Sequence, residues 1–457
     1  MGRRASAFPS SCPLESSGLL GYTFAPVPNV KGETMKLLLV GSGGREHALA
    51  WKMAQSPLCD RLWAAPGNPG IAECAECVEI SPEDTAGIVK FAKDNAADLV
   101  VVGPEDPLAA GLADALRAEG ILCFGPSAEG ARIESDKAYA KNLMRAASVP
   151  TAEARIFSDL QQAKEFVLSR DHGVAVKAAG LAKGKGVVVC PEPYQAIKPL
   201  EEMMGKKVFG DAGNTVVIEE MLTGQEATVL ALCDGKSIYT LEPLQDHKPI
   251  GDGDTGPNTG GMGAYSPVPI LDDRMMARIE REILVPIVDA MRRDFGRYEG
   301  VLYAGLMFTP AGPKVIEFNC RFGDPECQPL MMRLQSDLIE AMVATAEHRL
   351  DEITLAWDPR PAVCVVMSSG GYPGSYAKGH EITGIADADA LDDVKVFHAG
   401  TAMAGGKLVN SGGRVLGVTA LGQTIADAQK RAYEAVEKIR WKDCYCRKDI
   451  ASKAIRA

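Results

Sequence analysis

The segment KVIEFNCRFGDPECQ, residues 314–328, gathers side chains that handle metal ions and anions. Glu317 and Asn319 stand two positions apart in a stretch that reads as a strand, so both oxygens face one way and suit one hard cation. One carboxylate and one amide are too few for an all-protein cage, but Mg²⁺ completes its octahedron with phosphate oxygens and water. The pair therefore predicts a metal that arrives with a nucleotide. Arg321 and Asp324 follow at once. The first suits bidentate clamping of a carboxylate or phosphate, the second the orientation of an attacking amine.

Cationic groups for a triphosphate lie upstream. In KAAGLAKGKGVVV, residues 177–189, Lys177 closes one apolar run and Lys185 precedes the next, with glycines between. The pattern predicts a pliable hairpin that closes over phosphate. It is not a P-loop, because Gly184-Lys185 is followed by glycine rather than Ser or Thr and no helix follows. Lys137 and Lys141 sit one turn apart on a helix that opens a second domain. Glu219 and Glu226 flank a turn between two β-like runs. One carboxylate there could accept from an exocyclic amine and the other from ribose hydroxyls, with backbone groups near Met221 and Leu222 for the base edge; acids beside a turn are otherwise simply solvated.

The elements that must position these groups are those of an α/β chain. MKLLLVGSGGREHALAWKMA reads as strand, tight turn and helix, and Gly43 and Gly44 would leave helix-start N–H groups free for a phosphate. Glu46 stands where a dinucleotide fingerprint needs glycine, which argues against NAD or flavin. DLVVVGPEDPL and ILCFGPS repeat the strand-and-turn pattern, which would bring Gly41–Glu46, Asn68 and Gly103–Asp106 around one crevice at the strand ends. Residues 245–269, rich in glycine and with almost no apolar anchor, read as a substrate-closing loop.

Composition sets the limits. The chain has 457 residues, enough for several domains, and a net charge of −11, which argues against nucleic acid and for a small partner. No apolar run is long enough for a membrane helix. The twelve cysteines are scattered, and the close pairs Cys74 with Cys77 and Cys444 with Cys446 lack the second ligand pair or neighbouring histidines of a zinc site, so all fit reduced thiols of a cytoplasmic protein. Residues 1–34, rich in Ser and Pro and without periodicity, read as a disordered extension, a weak targeting segment or the product of a mis-assigned start at Met1 rather than Met35.

From Met35 almost to its end the chain resembles the phosphoribosylamine–glycine ligase family of ATP-grasp enzymes. The resemblance rests on GSGGREHAL, PGNPG, GPEDPL, GLAKGKGV, QDHK, GDGDTGPNTGGMGAYSP, RFGDPECQ and HAGT, of which RFGDPECQ is the most specific. It implies an α/β and α+β multidomain chain: a Rossmann-like domain over 35–136, an ATP-grasp domain over 137–360 with a mobile part at about 158–227, and a small α/β domain over 361–457. It also implies ligation of glycine to 5-phosphoribosylamine with ATP, through glycyl phosphate, in purine biosynthesis, by a monomer or weak dimer. Carried over to matching positions, Lys137, Lys177, Lys185, Glu219, Leu222 and Glu226 would bind ATP, and Glu317 and Asn319 would bind Mg²⁺ or Mn²⁺. Gly43, Gly44, Asn68, Glu105, Asp246, Arg321 and Asp324 would meet the substrates. Lys185, Arg321 and Asp324 would serve catalysis. Three positions depart from the family pattern, Ala179 for aspartate, Cys320 for alanine and Gln225 for glutamate, and none removes a proposed ligand. The alternatives are another ATP-grasp carboxylate–amine ligase and a non-catalytic nucleotide-binding protein.

Overall fold

The computed structural model describes residues 34–182 and 186–455. The apolar run at the start forms β1 (Met35–Gly41), buried from Leu37 onward. It is joined by β2 (Cys59–Pro66), β3 (Glu76–Cys77), β4 (Leu99–Val102) and β5 (Leu122–Phe124) in a parallel sheet of order β3-β2-β1-β4-β5. Connections leave β1 in opposite directions on its two sides, so the crevice beyond the carboxyl ends of β1 and β4 is where such a sheet takes a ligand. The helix Gly44–Met53 and the short helix Glu105–Ala109 both start there.

Two antiparallel sheets follow. The first has the order β6-β9-β7-β8, from β6 (Ala154–Phe157), β7 (Val174–Ala178), β8 (Val187–Cys190) and β9 (Val216–Glu220). Its core is separate and small, built on Ala163, Val167, Val176, Leu200 and Ile218. The second has the order β11-β10-β16-β17, from β10 (Gln225–Asp234), β11 (Ile238–Thr240), β16 (Glu299–Thr309) and β17 (Gly312–Asn319). Thr151 bridges to Val315 of β17, which joins the two sheets at one edge.

The segment 245–269 is not the plain loop its composition suggests. It contributes β12 (Gln245–Asp246) and β15 (Gly263–Ser266), and between them the hairpin of β13 (Pro249–Gly251) and β14 (Thr255–Asn258). Strand β15 pairs with β18 (Ala362–Ser369), which continues through β22 (Arg414–Leu421) to β19 (Val394–His398) in the order β12-β15-β18-β22-β19. Met262 and Tyr265 are fully buried, so the apolar anchors exist and were hidden by the surrounding glycines. The C-terminal sheet therefore takes two strands from before residue 360, across the contiguous boundary expected there. The C-terminal region adds the hairpin of β20 (Thr401–Ala404) and β21 (Lys407–Asn410), and β23 (Cys444–Tyr445) beside β18.

A histidine pair joins the first and last sheets. His47, on the first helix, and His398, at the end of β19, are both buried, and the His398 N–H donates to His47 Nδ1 at 2.7 Å. His398 Nδ1 lies 3.2 Å from the Thr401 hydroxyl. Gly70 packs against both rings, where a Cβ would lie 2.6 Å from His398 Cγ. Burial pushes His47 well below its ordinary value, helped by His398 and Lys395, and pushes His398 down to about 4.

An imidazole depressed in the folded state and ordinary in the unfolded one stabilises the fold above about pH 6.5, and that stability is lost as the pH falls towards about 4. The expected outcome for His398→Asn is a shallower fall of the melting temperature across that window than in the parent chain. Thermal unfolding at a series of pH values measures it.

Candidate active site

Glu317 and Asn319 lie on one face of β17, paired across from Gly305 and Tyr303 of β16. Burial alone would raise the Glu317 carboxyl, but Lys248, Lys177 and Lys137 hold it down to about 2. Three ammonium groups thus converge on one carboxylate. Lys177 stands near the end of strand β7, where its apolar run placed it, and it is buried. Its Nζ donates to the Ile316 carbonyl at 2.9 Å and pairs with Glu219 at 3.0 Å. Lys137 begins the helix Lys137–Ala146, its N–H bonded to the Ala179 carbonyl at 2.8 Å, and burial lowers its ammonium. Lys185, expected on the lid, lies outside the described residues.

Glu219 differs from a solvated turn acid. It is buried on β9 between Lys177 and Lys141, and its Oε1, 3.2 Å from Lys141 Nζ, accepts no hydrogen bond among the described residues. That oxygen is an acceptor with spare capacity, suited to an amino group. Lys141 itself, one turn from Lys137, was not assigned a role from sequence; burial lowers it to about 8. Leu222 is half-buried in the connection from β9 to β10, and Glu226 follows on β10.

Lys248 is the group that sequence reasoning missed most plainly, though it stands in the QDHK motif. Its Nζ is 3.3 Å from Glu226 and 3.6 Å from Glu317, so one ammonium ties the two carboxylates. Burial alone would lower it, but Glu226, Asp246 and Glu317 outweigh that and raise it well above its ordinary value. Asp246, on β12, is pushed up to about 7 by burial, against the pull of Lys248 and with Glu326, Glu226 and Glu317 adding to the rise. Three carboxylates, Glu226, Asp246 and Glu317, thus bear on Lys248, and Glu326 adds to the rise of Asp246. Among the described residues no group of three or more His, Cys, Asp or Glu is placed to hold a metal ion. Glu317 and Asn319 are thus a partial set that fits a metal completed by phosphate and water.

Beyond β17 the chain enters the crevice of the first sheet. Arg321 Nε donates to Glu105 at 3.1 Å and its Nη2 to Glu134 at 2.6 Å, while Nη1 reaches the Phe322 carbonyl at 3.3 Å. Three of its five N–H groups are engaged, and the guanidinium that was expected to clamp a ligand bridges two protein carboxylates instead. Burial opposes the charge on Arg321, but Glu134 and Glu105 raise it well above its ordinary value. Burial would raise Glu105 too, yet Arg321 and Arg45 bring it to about 2. A fixed carboxylate of this kind suits ribose hydroxyls or an amine and repels phosphate.

The helix-start reading of Gly43 and Gly44 also changes. The Gly43 N–H donates to Glu46 at 2.6 Å, and the Arg45 backbone N–H goes to Asp324, so the protein's own acids cap the helix. Gly41 has φ +129°, and a Cβ on it would lie 2.5 Å from Glu46 Cγ; the glycine makes room for that acid. Gly44 backs onto Asp324, whose Oδ1 would be 3.6 Å from a Cβ. Asn68 is corrected from ligand to tie. Its amide donates to the Ser42 and His398 carbonyls, both at 2.9 Å, and its oxygen accepts from Gly70 and Ile71. That fills its capacity.

Asp324 is held by Gln328 at 3.0 Å and by Arg414 at 3.4 Å. Burial would raise it, but Arg414, Arg45 and Gln328 keep it below its ordinary value. Arg414 comes from β22 and also donates to the Gly260 carbonyl and to the Asp324 carbonyl, each at 2.6 Å. All three sheet systems therefore meet at Asp324. No local signal beyond the glycines before Arg414 could have brought that residue here.

Comparison with known proteins agrees with this arrangement. The family models for phosphoribosylglycinamide synthetase match in three parts: the N domain at residues 35–134, the ATP-grasp (A) domain at 135–327 and the C domain at 362–453. The chain is 54% identical over 426 residues to the phosphoribosylamine–glycine ligase of Rhodopirellula baltica, spanning 92% of this chain and 98% of the relative. It is 50% identical to that of Agrobacterium fabrum over 92% and 99%. The crystal structure of the Thermotoga maritima phosphoribosylamine–glycine ligase superposes with a TM-score of 0.79 at 30% identity, over 91% of this chain and all of that one. A biotin carboxylase domain from Hydrogenobacter thermophilus, solved with MgADP and bicarbonate, shares the fold at a TM-score of 0.68 and 17% identity, over 91% and 92% of the two chains. The chain belongs to the phosphoribosylamine–glycine ligases, ATP-grasp enzymes of purine biosynthesis.

Proposed function

We propose that the chain joins glycine to 5-phosphoribosylamine at the junction of its three sheet systems, with ADP and phosphate as the other products. The observation that carries this reading is the run from Glu317 to Asp324, which leads from a carboxylate ringed by Lys137, Lys177 and Lys248 to one shared by the first helix and Arg414. ATP lies between the two antiparallel sheets. Its base meets the open Oε1 of Glu219 and the backbone near Leu222, and its ribose meets Glu226. Lys137, Lys177 and Lys185 offset the triphosphate charge.

Glu317 and Asn319 would hold a divalent metal ion, Mg²⁺ or Mn²⁺, which supplies charge neutralisation at the phosphoryl oxygens. Lys248 keeps Glu317 and Glu226 in register and places a positive charge beside the phosphoryl group in flight. The glycine carboxylate attacks the γ-phosphorus and ADP leaves. The phosphoribosylamine nitrogen then attacks the acyl carbon of glycyl phosphate and phosphate leaves, with water kept out of the junction. Asp324, held below the ordinary carboxylate range, suits an acceptor that orients the amine rather than a store for its proton. Glu105 takes sugar hydroxyls, Gly44 permits close approach of the substrate to Asp324, and Asp246 lines the glycine side. Arg321 acts by holding Glu105.

The remaining parts of the reading are a cytoplasmic, monomeric or weakly dimeric enzyme with domains near 35–136, 137–360 and 361–457, the last completed by strands β12 and β15 from the second, and a mobile part at about 158–227. Free cysteines throughout the described residues support a reducing compartment. Among those residues no helix is long and apolar enough to cross a membrane.

Three outcomes test the roles. ADP formation should require glycine, phosphoribosylamine and Mg²⁺ or Mn²⁺ together, and Glu317→Gln should lower it by about a hundredfold or more. Lys248→Met should lower kcat about tenfold or more without abolishing ATP binding, as measured by steady-state kinetics beside nucleotide titration. Arg321→Met leaves Glu134 buried with only the Cys320 N–H and Glu105 with only Arg45, and should cost roughly 1–3 kcal/mol in denaturant unfolding.

A further inference from the structure

The hairpin of β13 and β14 follows Lys248 directly, and its residues from Asp252 to Pro257 are exposed. Ile250 is its single apolar residue packed on the core, and only partly buried. A hairpin with so little apolar burial has no hydrophobic means of holding a fixed place. It is fixed instead by the C-terminal segment, residues 445–453. The Tyr445 hydroxyl donates to the Ile250 carbonyl at 3.0 Å, the Lys448 N–H to Asp252 at 2.8 Å, and the Gly253 N–H to Asp449 at 2.9 Å. Lys453 pairs with Asp254 at 2.6 Å.

Arg447 is at the centre of these contacts and is fully buried. Its Nη1 donates to the Pro249 carbonyl and to Asp254, each at 3.0 Å, while Nε and Nη2 form a fork on Asp449 at 2.8 and 2.7 Å. Burying a guanidinium with paired acids gains little stability over an apolar replacement of the same volume. What the arrangement does achieve is geometric, since a planar fork fixes two directions at once. One direction ends on Pro249, the residue after Lys248. On the other side of the hairpin, Thr259 returns to the Lys248 carbonyl, with its N–H at 2.8 Å and its hydroxyl at 2.7 Å. The backbone of Lys248 is thus held at the hairpin root, and the ammonium it carries faces Glu226 and Glu317.

We propose that Arg447 is a positioning residue for the ligation, acting through the β13–β14 hairpin to hold Lys248 between Glu226 and Glu317. The inference rests on the role given to Lys248 above. It makes the C-terminal segment, far from the reacting atoms, part of the apparatus that aligns them.

The test uses the full chain and four variants: Lys248→Met, Asp254→Asn, Arg447→Lys and Arg447→Met. Asp254→Asn alters an acid on the exposed hairpin and leaves the Arg447–Asp449 fork in place, so it remains informative even if Arg447→Met fails to fold. Hydrogen exchange of the peptide covering 249–258 and steady-state kinetics are measured together. The expected result is faster exchange confined to that peptide, with kcat lowered about tenfold and KM for ATP within about twofold, in Asp254→Asn and Arg447→Lys. Asp254→Asn with parental kcat, beside a Lys248→Met variant that has lost activity, overturns the inference alone. Lost activity with unchanged exchange over 249–258 also overturns it, because the effect then bypasses the hairpin. Full activity in Lys248→Met overturns the reading of the site on which it rests.

Discussion

The partly buried bridge of Arg321 between Glu105 and Glu134 is the constraint on which the rest of the molecule depends. Glu105 starts a helix at the crevice of the first sheet, Glu134 lies on the helix Ala128–Ser135 that leads into the second domain, and Arg321 stands two residues beyond the strand that carries Glu317 and Asn319. One guanidinium thus ties the crevice of the first sheet to the end of β17. Burial favours the neutral form of Glu134 and raises it, with Arg321 opposing. The Cys320 N–H supplies a further bond to Glu134 at 2.8 Å. A charge so placed is tolerable only because its partners come from separate elements that must all be in position, which couples folding of the junction to its geometry.

Around that bridge the charges sort by location. Towards β17 the protein places lysines around one carboxylate, an arrangement whose cations await a polyphosphate. Towards the first helix it does the reverse: Glu46 and Asp324 occupy the helix start, where an anion from solution would otherwise go. The two ends consequently differ in the cations they present, lysines beside β17 and the already paired arginines Arg45, Arg321 and Arg414 at the junction. In the function proposed above, the first would meet the triphosphate and the second the amine and sugar hydroxyls. The acids at the junction are those that the glycines at 41, 43 and 44 allow to approach.

Much of this was legible in the sequence because it is local. Alternation along KVIEFN places Glu317 and Asn319 on one face, and a run such as MKLLLVG followed by glycines can hardly be anything but a buried strand and turn. Partners from distant segments were not legible. Asn68 reads as a ligand because it stands between glycines at a strand end, yet its four hydrogen bonds go to Ser42, Gly70, Ile71 and His398, the last of them 330 positions away. Arg321 has the chemistry of an anion clamp, and only the folded chain shows that it already bridges Glu105 and Glu134. Lys248 and Arg414 lie in stretches whose glycines suggest movement, so composition drew attention to the loops rather than to the cations they hold.

The glycine-rich segment 245–269 shows why low apolar content misleads when a chain changes sheets. Gly263 has φ +159°, and a Cβ there would lie 2.6 Å from the Cys364 carbonyl oxygen. The residue is glycine so that β15 can lie directly against β18, and this close approach is what buries Met262 and Tyr265. Glycine thus marks tight packing at one end of the segment and an exposed turn at Gly253 in its middle. The two uses are indistinguishable in composition and opposite in mechanics. An element anchored in the C-terminal sheet at both ends, with an exposed hairpin between, can carry Lys248 and Asp246 into the site only in the geometry that sheet dictates. Under the inference drawn above, the C-terminal domain would for that reason take part in aligning the reaction.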